Sequence, residues 1–400
     1  MCFPDLPRTS CLNDGLVLTN VTGAVSITNS AISNIPHNGV WVDNFSYNMS
    51  SFTMTNTTIS CALGQICHPA TVGTVGNDGL LLVMRGNSVL TSGSITSSTF
   101  SGHRAVGVQI QAGDTGRIGA SSGGVITAPA ASNSFTVGGV GVGNTFTGNG
   151  QGIDIDSSQV SNLAFQVLNN TVVGRVTSPG AISNQSSAVA INAFTAAGAD
   201  TGPTVHTFVG KIDGNTIGTA GVKDSGSGFG SGIRVVVQGV ATQGVVSVTN
   251  NTIREVPNAD IMTLIGQNGA ASSPSASARF KIMGNNLPAF SGSNLSLCGP
   301  ANSPCPGNGI FVLADEGSAV CNLITGNTIF DVSPIGGGFD IFLAERAGPP
   351  VGSALTVEGT GGSNSTYIQA NNTLAGPQKF VDEGANTSQV AINACGAFPL

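Results

Sequence analysis

The sequence has few charged residues, and the charge patterns that mark several functional classes do not occur in it. Only 8% of the 400 residues are charged, and the formal net charge is −7. There is no run of lysine and arginine, so nucleic acid and anionic membranes are not expected partners. No apolar run approaches the roughly 20 residues of a membrane-spanning helix, so no transmembrane segment is expected.

Aromatic residues and helical patterns are also scarce. Aromatic residues make up 5% of the chain, whereas glycine occurs 57 times. The mean hydropathy of +0.23, with Val, Ile, Leu and Phe at recurring positions, argues against disorder. A chain rich in Gly, Asn, Ser and Thr favours short strands and turns.

A short polar motif followed by an apolar residue recurs along the chain, as in Asn251-Thr252-Ile253. Between these motifs lie strands that begin with a small residue, such as Gly152 followed by alternating apolar positions. The shortest motif spacing is 26 residues, from Asn144 to Asn170, which is enough for three short strands and three turns. The polar position gives this column: Ser30, Thr57, Ser98, Asn144, Asn170, Asn215, Asn251, Asn285, Asn327 and Asn372.

The repeat predicts an all-β solenoid in which the strands of successive coils pair in parallel. The seven asparagines of the column are expected to form a structural ladder, with side chains bonding from coil to coil and tolerating left-handed bends. We expect residues 1–12 to be an N-terminal edge or truncated cap and residues 13–376 to be the repeat domain. Residues 377–400 would form a last coil or C-terminal cap. Residues 111–138 form the longest insertion, and all insertions are expected at two corners of the coil.

These bends and glycine-led strands resemble the right-handed parallel β-helix proteins of the pectin-lyase-like superfamily. The resemblance covers residues 13 to about 376, and the composition is similar to repetitive regions of bacterial secreted or surface proteins of the adhesin kind. It implies about ten to eleven coils with three short strands each, in a secreted or cell-surface protein. The superfamily contains lyases, glycosidases and non-catalytic proteins, so it leaves the function open.

The eight cysteines favour an oxidising compartment. Zinc is the alternative for Cys61 and Cys67, which lie beside His68. Cys321 and Cys395 have no local partner, which leaves a bond between them open. Three local pairs predict disulfide-closed loops, formed by Cys2 with Cys11, Cys61 with Cys67 and Cys298 with Cys305.

Asp154 and Asp156 are the candidate catalytic residues, with Arg234, expected two coils away, as a basic partner. They alternate on one strand, and sugar-cleaving enzymes use two carboxylates some 5 to 9.5 Å apart. The strand Ile153-Asp154-Ile155-Asp156 resembles the Asp-bearing strands of polygalacturonase-like glycosidases, but the expected neighbours, Gly107/Gln109 and Ala190/Asn192, carry no second acidic pair. A solvated strand face and a metal site are the alternatives. No cofactor is expected, although the carboxylates leave calcium open.

Apolar and aromatic side chains on the same outer face are the candidate ligand-binding residues. Trp41 beside Asp43 would suit stacking on a sugar, and Phe311 and Phe342 would form an apolar patch. In the last coil of this face, the expected outward pair is Asp340 and Phe342. Cover by the chain's own insertions is the alternative. The histidines have no serine or cysteine partner in a recognisable motif, so a nucleophilic triad is not expected.

The sequence therefore favours a non-catalytic extracellular segment, either a structural stalk or an adhesin-like surface, within a longer exported bacterial protein. The expected partner is a glycan or a host or cell-surface protein. The alternative is a polysaccharide glycosidase or lyase that uses Asp154 and Asp156.

Overall fold

The computed structural model confirms the predicted fold: an all-β, right-handed parallel β-helix with one strand per sheet in each coil. It describes residues 14–62, 78–119, 133–174, 189–196, 206–222, 225–227, 230–239, 241–256, 258–266, 276–288, 307–315, 317–330, 338–345, 352–376, 379–383, 387–396 and 398. Coils are numbered below by the order of their strands in the sheets.

Three parallel sheets form the sides of the solenoid. Sheet 1 contains, in stacking order, β1 (Leu16–Thr19), β4 (Val40–Phe45), β7 (Leu80–Arg85), β10 (Val106–Ala112), β14 (Gln151–Ser158), β17 (Ile191–Ala196), β20 (Ile233–Val237), β23 (Ile261–Ile265), β26 (Ile310–Ala314), β29 (Ile341–Glu345) and β32 (Phe380–Glu383). Sheet 2 contains β2 (Gly23–Thr28), β5 (Met49–Thr55), β8 (Val89–Thr96), β11 (Arg117–Ile118) with β12 (Phe135–Gly138), β15 (Asn162–Leu168), β18 (His206–Asp213), β21 (Thr242–Thr249), β24 (Ser277–Met283), β27 (Ala319–Thr325), β30 (Ala354–Glu358) and β33 (Thr387–Val390). Sheet 3 contains β3 (Ala31–Ser33), β6 (Thr58–Ser60), β9 (Thr99–Ser101), β13 (Thr145–Thr147), β16 (Thr171–Val173), β19 (Thr216–Ile217), β22 (Thr252–Ile253), β25 (Asn286–Leu287), β28 (Thr328–Ile329) and β31 (Thr373–Leu374).

The core is a column of side chains enclosed by the three sheets. Because successive side chains of a strand point to opposite faces, every second residue enters this column. Like residues stack from coil to coil, as Phe100 does on Phe146 with ring centroids 5.2 Å apart. Burial of each large apolar side chain contributes about 1.5–3 kcal/mol. The glycines that lead the sheet 1 strands permit this close stacking: a Cβ on Gly79 would lie 2.4 Å from the carbonyl oxygen of Gly107.

The corner between sheets 2 and 3 holds the asparagine ladder. The Oδ1 of Asn251 accepts bonds from the backbone N–H and the Nδ2 of Asn215, at 3.0 and 2.9 Å. Its own Nδ2 donates to Oδ1 of Asn285 in the next coil and to the Ile212 carbonyl in the previous coil, both at 3.0 Å. The same pattern joins Asn144, Asn170, Asn215, Asn251, Asn285, Asn327 and Asn372.

The left-handed bends of this corner lie one residue before the ladder position, and not at the ladder asparagines as predicted. Asn169 and Asn250 have φ of 55°, and glycines fill this position in other coils, such as Gly214 with φ of 68°. A residue without a Cβ, or an asparagine, adopts this conformation at low cost. The ladder residue itself needs an amide rather than a left-handed backbone.

Most insertions lie at the other two corners, between sheets 3 and 1 and between sheets 1 and 2. Two exceptions correct the prediction. The insertion assigned to residues 111–138 begins after β11 and returns at β12, so it interrupts a sheet 2 strand within coil 4. The helix α1 (Asn364–Asn371) occupies the corner between sheets 2 and 3 in coil 10.

The C-terminal residues fold back over the outer face of sheet 2. Cys395 forms a disulfide with Cys321 of β27, and the Cys395 carbonyl accepts a bond of 3.0 Å from Nη1 of Arg279 on β24. Phe398 packs on an apolar cluster formed by Ala164, Val209 and Val245. We call residues 391–396, together with Phe398, the C-terminal strap. It settles the pairing of Cys321 and Cys395, which the sequence left open.

Candidate functional site

The outer face of sheet 1 carries the candidate catalytic residues, and the strand register corrects the neighbours predicted for them. Asp154 pairs with Gln109 in coil 4 and with Asn192 in coil 6, and Asp156 pairs with Gln111 and Phe194. The predicted alignment placed Gly107/Gln109 and Ala190/Asn192 beside Asp154/Asp156. The observed register is shifted by two residues from that alignment. Coil 10 had the same error, because Phe342 and Ala344, and not Asp340 and Phe342, continue the two outward columns.

Asp154 and Asp156 belong to a compact hydrogen-bonded network. Nε2 of Gln109 donates to Oδ2 of Asp154 at 3.3 Å and to Oδ2 of Asp156 at 2.9 Å. Nδ2 of Asn192 donates to Oδ1 of Asp154 at 2.8 Å. Asp154 is only 8% exposed. The two acids are thus bridged by amides from the coils on either side.

Both carboxyl groups hold protons more tightly than an ordinary aspartic acid. Burial raises the pKa of Asp154, opposed by its bonds with Asn192 and Asp156. Burial and the charge of Asp154 raise the pKa of Asp156 well above its usual value. The nearness of the two carboxyl groups thus adds to the effect of burial on Asp156.

Arg234 lies two coils from the pair, as the sequence predicted, because its register partner is Asn192. Burial lowers the pKa of Arg234, while the charges of Asp154 and Asp156 raise it. Among the described residues, Arg234 makes no direct ion pair. Arg234 therefore interacts with the two carboxyl groups electrostatically, across the coil that lies between them.

The predicted sugar-stacking residues lie in coil 2, three coils from Asp154. Trp41 is partly buried and pairs in register with Leu81. Asp43 is held by Arg85, whose Nε and Nη2 donate to its two carboxylate oxygens at 2.8 and 2.7 Å. A fork of this kind neutralises the carboxylate, so Asp43 does not present a free charge beside Trp41.

Phe311 and Phe342 lie in neighbouring coils and stack with ring centroids 5.3 Å apart. Phe339 stacks on Phe342 in turn, at 5.6 Å. Phe311 and Phe342 belong to a largely buried apolar cluster on the outer face of sheet 1, in which Val236 is completely buried. This burial agrees with the alternative that the patch is covered. Seven coils separate it from Trp41, about 34 Å along the stack.

Sequence reasoning missed a buried polar group at the corner between sheets 3 and 1. Nδ1 of His37 contacts Oδ1 of Asp14 at 2.5 Å, and its Nε2 is buried without a hydrogen-bond partner in the described structure. Asp78 is 2% exposed and accepts a bond of 3.0 Å from the Val106 N–H. Burial raises the pKa of Asp78 to about 7. The sequence signal was faint: Asp14, Asn38 and Asp78 each precede a strand-leading glycine.

Three further predictions concern bonds, metals and membranes. Cys61 is disulfide-bonded, whereas Cys2, Cys11, Cys67, Cys298 and Cys305 lie outside the described residues. In the described part of the chain, no group of three or more His, Cys, Asp or Glu side chains is placed to hold a metal ion. The described ranges also contain no helix long and apolar enough to cross a bilayer.

Comparisons with known proteins add no family. No protein-family model matches the sequence, and the search of curated proteins found no match.

Proposed function

We propose that the chain is a non-catalytic β-helical rod of an exported bacterial protein, acting as a stalk or as an adhesin-like binding surface. Eleven coils spaced by about 4.8 Å give a rod of roughly 50 Å. The disulfides support an oxidising compartment, secreted or on the cell surface.

The bridging of Asp154 and Asp156 carries this proposal. A glycosidase needs two carboxyl groups in separate roles, facing a sugar from either side of the bond that breaks. Here both acids accept from the one amide group of Gln109, and Asn192 donates to the other oxygen of Asp154. Such a network suits rung-to-rung cohesion better than access to a substrate.

A carbohydrate-active enzyme is the second candidate, and one observation favours it. The raised pKa of Asp156 would keep that carboxyl protonated, as a general acid requires, while Arg234 lies close enough to influence both charges. Trp41 lies three coils from Asp154, about 14 Å along the rod, and Asp43 beside it is already paired with Arg85.

The test is product release from a panel of acidic and neutral polysaccharides, measured as new reducing ends and as unsaturated products. The 1–400 chain is compared with the double variant Asp154→Asn/Asp156→Asn, which keeps the size of both side chains. We expect no release from either protein and similar thermal unfolding. Release by the unmodified chain that the double variant lacks would establish the enzyme instead.

A further inference from the structure

A second surface feature lies on the outer face of sheet 2, in coils 7 to 10. A groove of about 360 Å³ runs there beside the C-terminal strap. Gln243, Ser277 and Ala319 stand next to one another in register and form its floor. Small side chains on neighbouring strands leave this space open along the rod axis.

One side of the groove is formed by residues that the strap fixes in place. Cys321 and Arg279 line it, and both are bound to Cys395, one by the disulfide and the other by a hydrogen bond of 3.0 Å. The Cys395 N–H donates to Oε1 of Glu358 at 2.6 Å. Three contacts to three successive strands thus hold this part of the strap, and with it the guanidinium of Arg279.

The groove also carries uncompensated positive charge. Arg279 and Lys281 both point outward from β24, since the residues between and beside them are buried. Neither forms an ion pair with a described residue. In a chain of net charge −7, Arg279 and Lys281 place positive charge beside an open groove. Arg279 donates one hydrogen bond in the described structure, from Nη1 to the Cys395 carbonyl. The other N–H groups of its guanidinium can therefore donate to a ligand.

We propose that this groove binds an extended anionic glycan, with the guanidinium of Arg279 holding a carboxylate or sulfate group of the chain. A guanidinium grips such planar or multidentate anions by paired hydrogen bonds. The amide of Gln243 and the hydroxyls of Ser277 and Thr356, which also line the groove, suit a ligand rich in hydroxyl groups. The inference rests on the proposed function in part, because it gives the non-catalytic rod a class of ligand.

The test measures binding of three polymers to the full chain by titration calorimetry: alginate, which carries carboxylates, dextran sulfate, and neutral dextran. We expect an anionic polymer to bind, with affinity that falls as salt rises, and neutral dextran not to bind. Preference for alginate or for dextran sulfate identifies the anionic group. Failure of both anionic polymers to bind, or equal binding of neutral dextran, would overturn the proposal.

Two variants locate the site. Arg279→Ala should weaken binding at least about tenfold, as loss of a charge-assisted contact predicts. Ser277→Asp places a negative charge on the exposed floor without touching the strap, and a similar loss is expected. Ser26→Asp, on an exposed outward position of β2 in the same sheet, is the matched control and should bind like the unmodified chain.

Unchanged binding in both Arg279→Ala and Ser277→Asp would place the ligand elsewhere and refute this site. The outcome is separable from that of the proposed function. Absence of binding removes the groove but leaves the rod, whereas polysaccharide cleavage abolished by Asp154→Asn/Asp156→Asn removes the non-catalytic proposal whatever the groove does.

Discussion

The same corner of the coil is built in two ways in the two parts of the rod. In coils 4 to 10 it holds asparagines, and those of coils 4 to 9 each donate to the coil before and the coil after. In coils 2 and 3 it holds Thr57 and Ser98, whose hydroxyls donate to carbonyls of their own coils, Thr55 and Thr96, at 3.1 and 2.9 Å. Only the backbone N–H groups of Thr57 and Ser98 reach the next coil there.

The difference teaches that an amide couples neighbouring coils in both directions, whereas a hydroxyl mainly closes its own bend. We therefore expect coils 4 to 10 to be held together more firmly than coils 1 to 3. The first coils also contain the buried acid Asp78, whose proton the fold must retain.

The largest effect is expected for Asn251→Ala in the middle of the ladder. The change removes four hydrogen bonds and leaves the buried Asn215 N–H without a partner, while the Asn215 Nδ2 keeps its bond to the Val167 carbonyl, at a combined cost of about 4 kcal/mol. Urea unfolding followed by circular dichroism measures the loss. Asn169→Gly, at an exposed left-handed position where other coils have glycine, is the control and should change stability little. Equal stability of Asn251→Ala and the unmodified chain would refute the ladder's role.

A smaller effect is expected from pH, acting on the first coils through Asp78. Its pKa is raised from 3.8 to about 7 in the folded protein, so the folded state binds the proton more tightly than the unfolded state. Stability from this group is therefore complete below about pH 4 and is lost as pH rises through about 7, by the order of 3 kcal/mol.

Asp78→Asn keeps an oxygen for the Val106 N–H and should remove that part of the pH dependence. Unfolding curves at pH 5 and pH 8 measure it for both proteins. Because the pKa values of Asp154, Asp156 and Asp260 are also raised, the comparison with the variant, and not the total pH effect, is the test. Identical pH dependence in both proteins would contradict the role given to Asp78.

The smallest effect is a gain from Ser98→Asn, which extends the amide ladder by one coil. By analogy with Asn144, whose Nδ2 donates to the Ile95 carbonyl at 2.8 Å, the new amide would reach the Met54 carbonyl and Oδ1 of Asn144. We expect stabilisation of about 1 kcal/mol, measured by the same urea curves. A loss of stability would mean that this corner of coil 3 cannot accommodate the larger asparagine side chain.

Much of the fold could be predicted from the sequence because its signals are local and repeated. The asparagine column and the alternation beside it identified the stacked coils and placed Arg234 two coils from Asp154. Register was predicted less well. The outward pairs at Gly107, Ala190 and Asp340 were displaced by two residues, because a period of two looks the same after such a shift.

Contacts between residues distant in the sequence could not be predicted. Arg279 bonds to Cys395, which is 116 residues away in the sequence, and no local sequence pattern predicts the C-terminal strap. The same holds for the bridging of Asp154 and Asp156 by Gln109 and Asn192, which depends on register and on insertions of variable length. Charge composition likewise concealed Arg279 and Lys281, because only the folded structure shows that neither forms an ion pair with a described residue.

A surface can be presented by a rod only if its coils stay stacked, so the most direct measurement is residue-resolved hydrogen exchange of the unmodified chain at pH 5 and pH 8. We expect the amides of coils 4 to 10 to exchange slowly and together at both pH values. Strands β1 to β9 should open first, and more readily at pH 8 than at pH 5. Uniform protection along the rod, or earlier opening in the asparagine-bearing coils, would contradict this expectation.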